Sequence, residues 1–171
     1  MARLISLLET IAVRLAALCI VVIMLIVSTD AIARYLLRAP LPWAFDLISY
    51  YLLIAAIYFA ISATFRTGDH ISIDLFRSLM SPRVRNILDI AWCLMAALAF
   101  ALIAFGAWEE MSRAYQNRQF LPGYFAWPAW ASYPPIVFGS AILVVRLLHH
   151  AYILLMHGED AAVIASGEHV E

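Results

Sequence analysis

The sequence contains little charge and no lysine at all. Only 13% of its 171 residues are charged, and its eleven basic residues are all arginine. A soluble domain usually devotes about a quarter of its residues to charge, so the composition excludes an ordinary water-exposed globular fold. The arginines form no basic block, and this argues against nucleic acid as a partner.

Cysteine is also scarce, and the motifs of enzymes and metal sites are missing. Cys19 and Cys93 each lie inside an apolar run, where a thiol most often packs as a small hydrophobe, so we assign neither a disulfide nor a metal. The five histidines do not form the facing pairs on two transmembrane helices that would hold a haem. The sequence has no C-x-x-C, H-E-x-x-H or G-x-S-x-G motif and no phosphate-binding glycine loop. We therefore predict no enzymatic activity, catalytic residue, substrate-binding residue, metal or cofactor.

Apolar residues, in contrast, make up 65% of the chain, and the mean hydropathy is +0.87. A helix of about 20 apolar residues crosses a bilayer, and four runs meet this length. We predict an all-α integral membrane protein in which residues 1–156 form one domain with four transmembrane helices, over residues 11–33, 45–65, 86–112 and 134–156. The first run lacks a small-residue cleavage site, so we interpret it as a retained helix and not as a signal peptide. The polar tail, residues 157–171, follows this domain.

The connection between the second and third helices has a pattern of its own. Residues 71–80 carry apolar side chains at helical spacing with polar ones among them, which predicts a short amphipathic helix in the membrane interface. The apolar positions are Ile71, Leu75, Phe76, Leu79 and Met80. The connection before the fourth helix is rich in aromatic residues and proline, as is typical of the boundary between water and lipid.

The charged residues near the apolar runs predict the orientation. Positive charge favours the cytoplasmic side. If both termini are inside, seven arginines lie on that side and four, Arg34, Arg38, Arg113 and Arg118, lie on the other. We therefore predict that both termini are cytoplasmic. Arg14 and Arg146 lie within the runs, and we expect their side chains to reach the headgroups.

Two acidic residues close to helix ends have two interpretations each. Asp30 and Arg34 are four residues apart on one helical face, and they form either a local ion pair or a contact with another chain. Asp46 begins the predicted second helix, where a carboxylate complements the helix dipole. It acts there as a cap alone, or as a cap that also contacts a partner.

Four short segments carry a family resemblance. Arg34-Tyr35 follows the first helix, and Pro42-Trp43, followed by Asp46, opens the second. After the second helix comes Arg66-x-Gly68-x-His70-Ile71-x-Ile73-Asp74, and Trp127-Pro128-x-Trp130-x-x-Tyr133 precedes the fourth. Together these segments, which lie within residues 10–156, resemble the small membrane subunit (the Q, or DctQ-like, subunit) of tripartite ATP-independent periplasmic (TRAP) transporters. The segment from Gly68 to Asp74 is the most specific of the four.

The resemblance implies a non-catalytic subunit in the bacterial inner membrane. Such a subunit forms a heterodimer with the large membrane subunit and braces it in the lipid. The large subunit then performs sodium-driven uptake of an organic acid that a periplasmic binding protein delivers. Through this resemblance the matching residues become candidates for the partner interface: Arg34, Trp43, Asp46, Arg66, Gly68, His70, Asp74 and Trp130.

Two other functions remain open from the residues alone. A four-helix membrane anchor of a redox complex would hold haem or quinone, and a Soret band in the absorption spectrum would indicate it. A self-assembling channel or efflux protein would carry ions through liposomes that contain only this chain.

Overall fold

The computed structural model describes residues 2–66 and 82–157, in which helices predominate. The α-helices are α1 (Ala2–Leu36), α2 (Pro42–Leu47), α3 (Leu53–Arg66), α4 (Pro82–Gln116) and α5 (Pro134–His157). A π-helical segment, Ile48–Leu52, joins α2 to α3, so that residues 42–66 form one continuous helical rod. Between α4 and α5 lie two short strands, β1 (Phe120–Leu121) and β2 (Trp127–Pro128), and a 3-10 turn, Ala129–Ser132.

The described residues contain four helices that are long and apolar enough to cross a membrane. The spans are Ser6–Leu36, Pro42–Ile61, Asn86–Gln116 and Ala129–Met156. This confirms the prediction of four membrane-spanning helices, although α1 begins nine residues before the apolar run used to predict it. The predicted interfacial helix at residues 71–80 lies outside the described residues.

Prolines and left-handed residues mark the ends of the helices. Pro42, Pro82 and Pro134 each occupy the first position of a helix, where the missing backbone N–H has no intrahelical partner to lose. Past the ends of α1 and α4, Arg38 and Arg118 adopt positive φ angles of 52° and 48°. These left-handed conformations turn the chain after each helix, and glycine adopts them with less strain than arginine.

Hydrogen bonds and ion pairs define two ends of the bundle. The hairpin end is the end at which residues 37–41 and 117–133 lie. At the opposite, terminus end, α1 and α4 begin while α3 and α5 finish. There the Asn86 side-chain amide donates to the backbone carbonyl of Leu154 at 3.5 Å. Consecutive membrane helices therefore run antiparallel.

The packed core lies mainly between α4 and α5. Its buried members are Cys93, Ala97, Leu143, Leu147 and Ala151. Small residues allow the helix backbones to approach closely, which is how helices associate in lipid. Helices α5 and α3 approach closely at Gly139, where a Cβ atom would overlap the backbone carbonyl of Tyr58.

Every membrane helix carries large apolar side chains that the described parts of the chain leave exposed. Examples are Met24 on α1, Trp92 and Phe105 on α4 and Leu155 on α5. In water such a surface would aggregate, whereas lipid tails or another membrane protein can cover it.

Candidate functional site

The hairpin end holds a connected set of polar contacts centred on Asp46. The Asp46 carboxylate lies on the α2–α3 rod and accepts a hydrogen bond from the backbone N–H of Tyr124 at 2.8 Å. Gly123 precedes Tyr124, and a Cβ atom at Gly123 would overlap that carboxylate. Any side chain at residue 123 would therefore force the Asp46 carboxylate to move.

Two tyrosines of the π-helical segment donate hydrogen bonds to the same hairpin. The Tyr51 hydroxyl donates to the carbonyl of Pro128 at 2.8 Å, and the Tyr50 hydroxyl donates to the carbonyl of Pro122 at 3.1 Å. A π-helical segment has a wider turn than an α-helix, so it changes the direction of successive side chains along the rod. In this rod, the two neighbouring tyrosines both reach the β-hairpin.

The hairpin itself is short and aromatic. Phe120 pairs with Pro128 and Leu121 with Trp127 in an antiparallel register. The Trp127 ring lies 5.7 Å from the Tyr51 ring and 6.1 Å from the Phe125 ring, centroid to centroid. Tilted and edge-to-face pairs of this kind add to the free energy gained by burying the rings. The loop is therefore a fixed part of the bundle surface.

Asp30 performs a similar function for the first connection. One oxygen of its carboxylate accepts the backbone N–H of Leu41 at 2.7 Å, and the other accepts the Arg34 guanidinium at 2.7 Å. The ion pair with Arg34 is local, while the bond to Leu41 fixes the turn that leads into α2. The carboxylate thus stabilises both the end of α1 and the start of the rod.

Charged and aromatic residues at the end of α4 border an open groove. Arg113 forms ion pairs with Glu109 at 2.5 Å and with Glu110 at 2.9 Å. Beyond them, a shallow groove of about 400 Å³ lies between α4 and the hairpin. Its lining includes Tyr115 and Trp130, whose rings meet edge to face at 5.9 Å.

The structure places four of the eight candidate interface residues at the hairpin end. Arg34 and Trp130 are exposed, while Trp43 and Asp46 are half-buried. Asp46 is four residues inside the rod, which begins at Pro42. A helix cap would accept a hydrogen bond from the first turn of its own helix. The described hydrogen bond of Asp46 comes instead from the hairpin.

The other four candidates come from the connection between α3 and α4. Arg66 is the last residue of α3, whereas Gly68, His70 and Asp74 lie outside the described residues. Among the described candidates, the structure thus places Arg66 at the terminus end, opposite the four at the hairpin end.

Sequence reasoning missed an ion pair at the terminus end. Glu9 of α1 is 1% exposed, and its Oε1 atom lies 3.7 Å from Nε of Arg146, whose side chain is 13% exposed. The Arg146 guanidinium, which we expected to reach the headgroups, thus lies beside a carboxylate of another helix. The signals in the sequence were Arg146 inside the fourth apolar run and Glu9 two residues before the first.

No group of three or more metal-ligating side chains comes together within the described parts of the chain. Comparison with curated proteins gives no match. The family model for the DctQ component of tripartite ATP-independent periplasmic transporters matches residues 23–156, from the middle of α1 almost to the end of α5. The chain therefore belongs to the DctQ family, the small membrane components of TRAP transporters.

Proposed function

We propose that this chain is the non-catalytic scaffold of a sodium-driven TRAP transporter. It binds the large membrane subunit as a heterodimer in the bacterial inner membrane and braces it. The large subunit moves an organic acid that a periplasmic binding protein delivers. Family membership supports the transporter assignment.

The observation that carries the scaffolding role is how the chain uses its polar groups. At the hairpin end, Asp30, Asp46 and the two tyrosines are engaged by the chain's own backbone. Meanwhile, large apolar side chains cover the outside of the helices. This arrangement suits a rigid body that packs sideways against another membrane protein, because its polar contacts hold its own segments together.

Two surfaces are proposed as partner contacts. Arg34, Trp43 and Trp130 lie at the hairpin end, which we assign to the periplasmic side, with both termini in the cytoplasm. The segment from Arg66 to Asp74 then lies on the cytoplasmic side. Of the two, we propose that this second segment docks the large subunit, because it carries the most specific part of the family pattern.

Reconstitution tests the proposal directly. We expect the chain to co-purify with the large subunit, and we expect sodium-dependent uptake only in liposomes that hold both subunits together with the binding protein. Uptake by liposomes that hold this chain alone would contradict the scaffolding role. Failure to form a heteromeric complex would contradict it as well.

The docking segment is tested by paired substitutions. His70→Ala and Asp74→Ala should reduce the amount of large subunit recovered with the tagged chain. His169→Ala, in the polar tail, is the matched control and should leave recovery unchanged. Equal recovery for all three variants would exclude this segment as the docking site.

A further inference from the structure

The groove between α4 and the β-hairpin has a lining that favours an anion. Its volume of about 400 Å³ is near the lower end of the range for ligand pockets, which suits a small polar group. The described residues that line it include one arginine, two glutamines and three aromatic residues, and none of them is acidic. They are Arg118, Gln116, Gln119, Tyr115, Phe120 and Trp130. A guanidinium and two side-chain amides offer hydrogen-bond donors, and the guanidinium adds a positive charge.

The arginines at the hairpin end differ in how they are paired. Arg34 and Arg113 each form ion pairs with carboxylates of their own helix. In the part of the chain that the structure describes, Arg38 and Arg118 are exposed and have no carboxylate partner. Of these two, Arg118 lines the groove. Its charge is therefore available to a ligand in the groove, whereas Arg38 carries the same charge away from it.

Backbone hydrogen bonds fix the two walls of the groove relative to each other. The N–H of Arg118 donates to the carbonyl of Tyr115 at 3.3 Å, which closes the end of α4. The next residue, Gln119, accepts the N–H of Ala129 at 3.0 Å, which joins this end to the hairpin. The groove is therefore formed before a ligand enters, and this lowers the entropic cost of binding.

The length of α4 sets the depth of the groove in a bilayer. The uncharged part of α4, from Ile90 to Trp108, is about 28 Å long at 1.5 Å per residue, close to the thickness of the hydrocarbon core. Tyr115 lies two helical turns further on, roughly 10 Å beyond the core, where the headgroups meet water. An arginine side chain at this level can extend back to the lipid phosphates. Tyrosine and tryptophan are also enriched at this level.

We propose that this groove binds the headgroup of an anionic phospholipid. The Arg118 guanidinium pairs with the phosphate, and the side-chain amides of Gln116 and Gln119 donate to the phosphate oxygens. The rings of Tyr115 and Trp130, which meet edge to face at 5.9 Å, pack against the glycerol carbons. The site belongs to this chain by itself and does not depend on the large subunit.

Native mass spectrometry of the full chain in detergent, with added phosphatidylglycerol, tests the site. Arg118→Gly should lower the affinity for the first bound lipid on the order of tenfold, because the phosphate loses a charge-assisted hydrogen bond. Arg38→Gly is the matched control, since it removes the same charge and the same positive φ at the same end of the bundle, and it should leave the affinity unchanged. If the glycine variants unfold, Arg118→Gln and Arg38→Gln replace them. Equal losses for the two positions, or no loss at Arg118, would overturn the proposal.

Thermal unfolding distinguishes a phospholipid from other occupants of the groove. Phosphatidylglycerol should raise the midpoint of the wild-type chain more than that of Arg118→Gly, and inorganic phosphate at the same concentration should raise neither. An equal rise with inorganic phosphate would indicate a site for free anions, and an equal rise with phosphatidylcholine would indicate no selection for negative charge. Either result would overturn the proposal. Unchanged lipid affinity in Arg118→Gly, together with lower recovery of the large subunit, would assign the groove to a protein instead.

Discussion

Single acceptor atoms at the hairpin end hold segments that are far apart in the sequence. Asp46 and Tyr124 are 78 positions apart, yet the carboxylate of one accepts the backbone N–H of the other. A hydrogen bond to a charged acceptor is stronger than one between neutral groups. The position of the loop between β1 and β2 therefore depends in part on this carboxylate.

Replacing Asp46 tests that dependence. We expect Asp46→Ala to lower the free energy of unfolding by about 1–2 kcal/mol, because the Tyr124 N–H loses its acceptor. Asp46→Asn keeps an oxygen at the same place and should lose less. Limited proteolysis within residues 117–133 measures the effect on the loop. Cleavage of Asp46→Ala at the wild-type rate would show that the loop does not depend on this carboxylate.

Gly123 offers a second test at the same place. We expect Gly123→Ala to destabilise the fold by roughly 1–3 kcal/mol, because the new Cβ atom overlaps the Asp46 carboxylate. Gly106→Ala is the control, since nothing lies within 4 Å of a Cβ atom there, and alanine favours the helix. Thermal unfolding in detergent compares the two. A control that loses as much as Gly123→Ala would argue against the overlap.

At the scale of elements, helix ends and helix crossings each depend on special residues. Arg38 and Arg118 end their helices in a left-handed conformation, in which a side chain is strained. The α3–α5 crossing depends on Gly139, which lets the two backbones meet. These positions set the lengths of α1 and α4 and the distance between α3 and α5.

The strained ends predict a gain in stability. We expect Arg38→Gly and Arg118→Gly each to raise the free energy of unfolding by up to about 1 kcal/mol, because glycine adopts positive φ without a Cβ penalty. Arg113→Gly lies inside α4 and loses two ion pairs, so it should be destabilising. Melting curves of the three variants give the signs. Destabilisation by all three would show that the arginine side chains outweigh the backbone strain.

The close crossing of α3 and α5 predicts that a larger residue at position 139 lowers the stability. We expect Gly139→Ala to lower the free energy of unfolding by roughly 1–3 kcal/mol, since α5 must move away from the carbonyl of Tyr58. Ala141→Leu, on the exposed side of the same helix, is the control and should be tolerated in lipid. The unfolding midpoints of both variants in nanodiscs provide the comparison. Equal midpoints for the two would contradict a close crossing.

On the scale of the whole molecule, the polar contacts between segments of the described residues form two sets. One set fixes the loops at the hairpin end, and the other includes the Glu9–Arg146 pair and the Asn86–Leu154 contact at the terminus end. The helix surfaces between them are apolar. A bundle fixed at both ends in this way is suited to act as a rigid neighbour in the membrane.

Orientation is a prediction for the whole molecule. With both termini cytoplasmic, green fluorescent protein fused to either terminus should fold and fluoresce, whereas alkaline phosphatase fused there should be inactive. The arginine bias between the two sides supplies the physical reason. Active phosphatase at the C-terminus would reverse the assignment of the hairpin end to the periplasm.

The sequence alone determined the membrane class and the four helices, because a run of about 20 apolar residues has few alternatives to a spanning helix. The roles of Asp46, Glu9 and Arg146 were decided only by the tertiary structure. Their partners lie on other helices, and helix packing alone determines which side chains meet. The same reason applies to Gly123 and Gly139. Folding brings the Asp46 carboxylate against the first and the Tyr58 carbonyl against the second, and neither neighbour can be identified from the sequence.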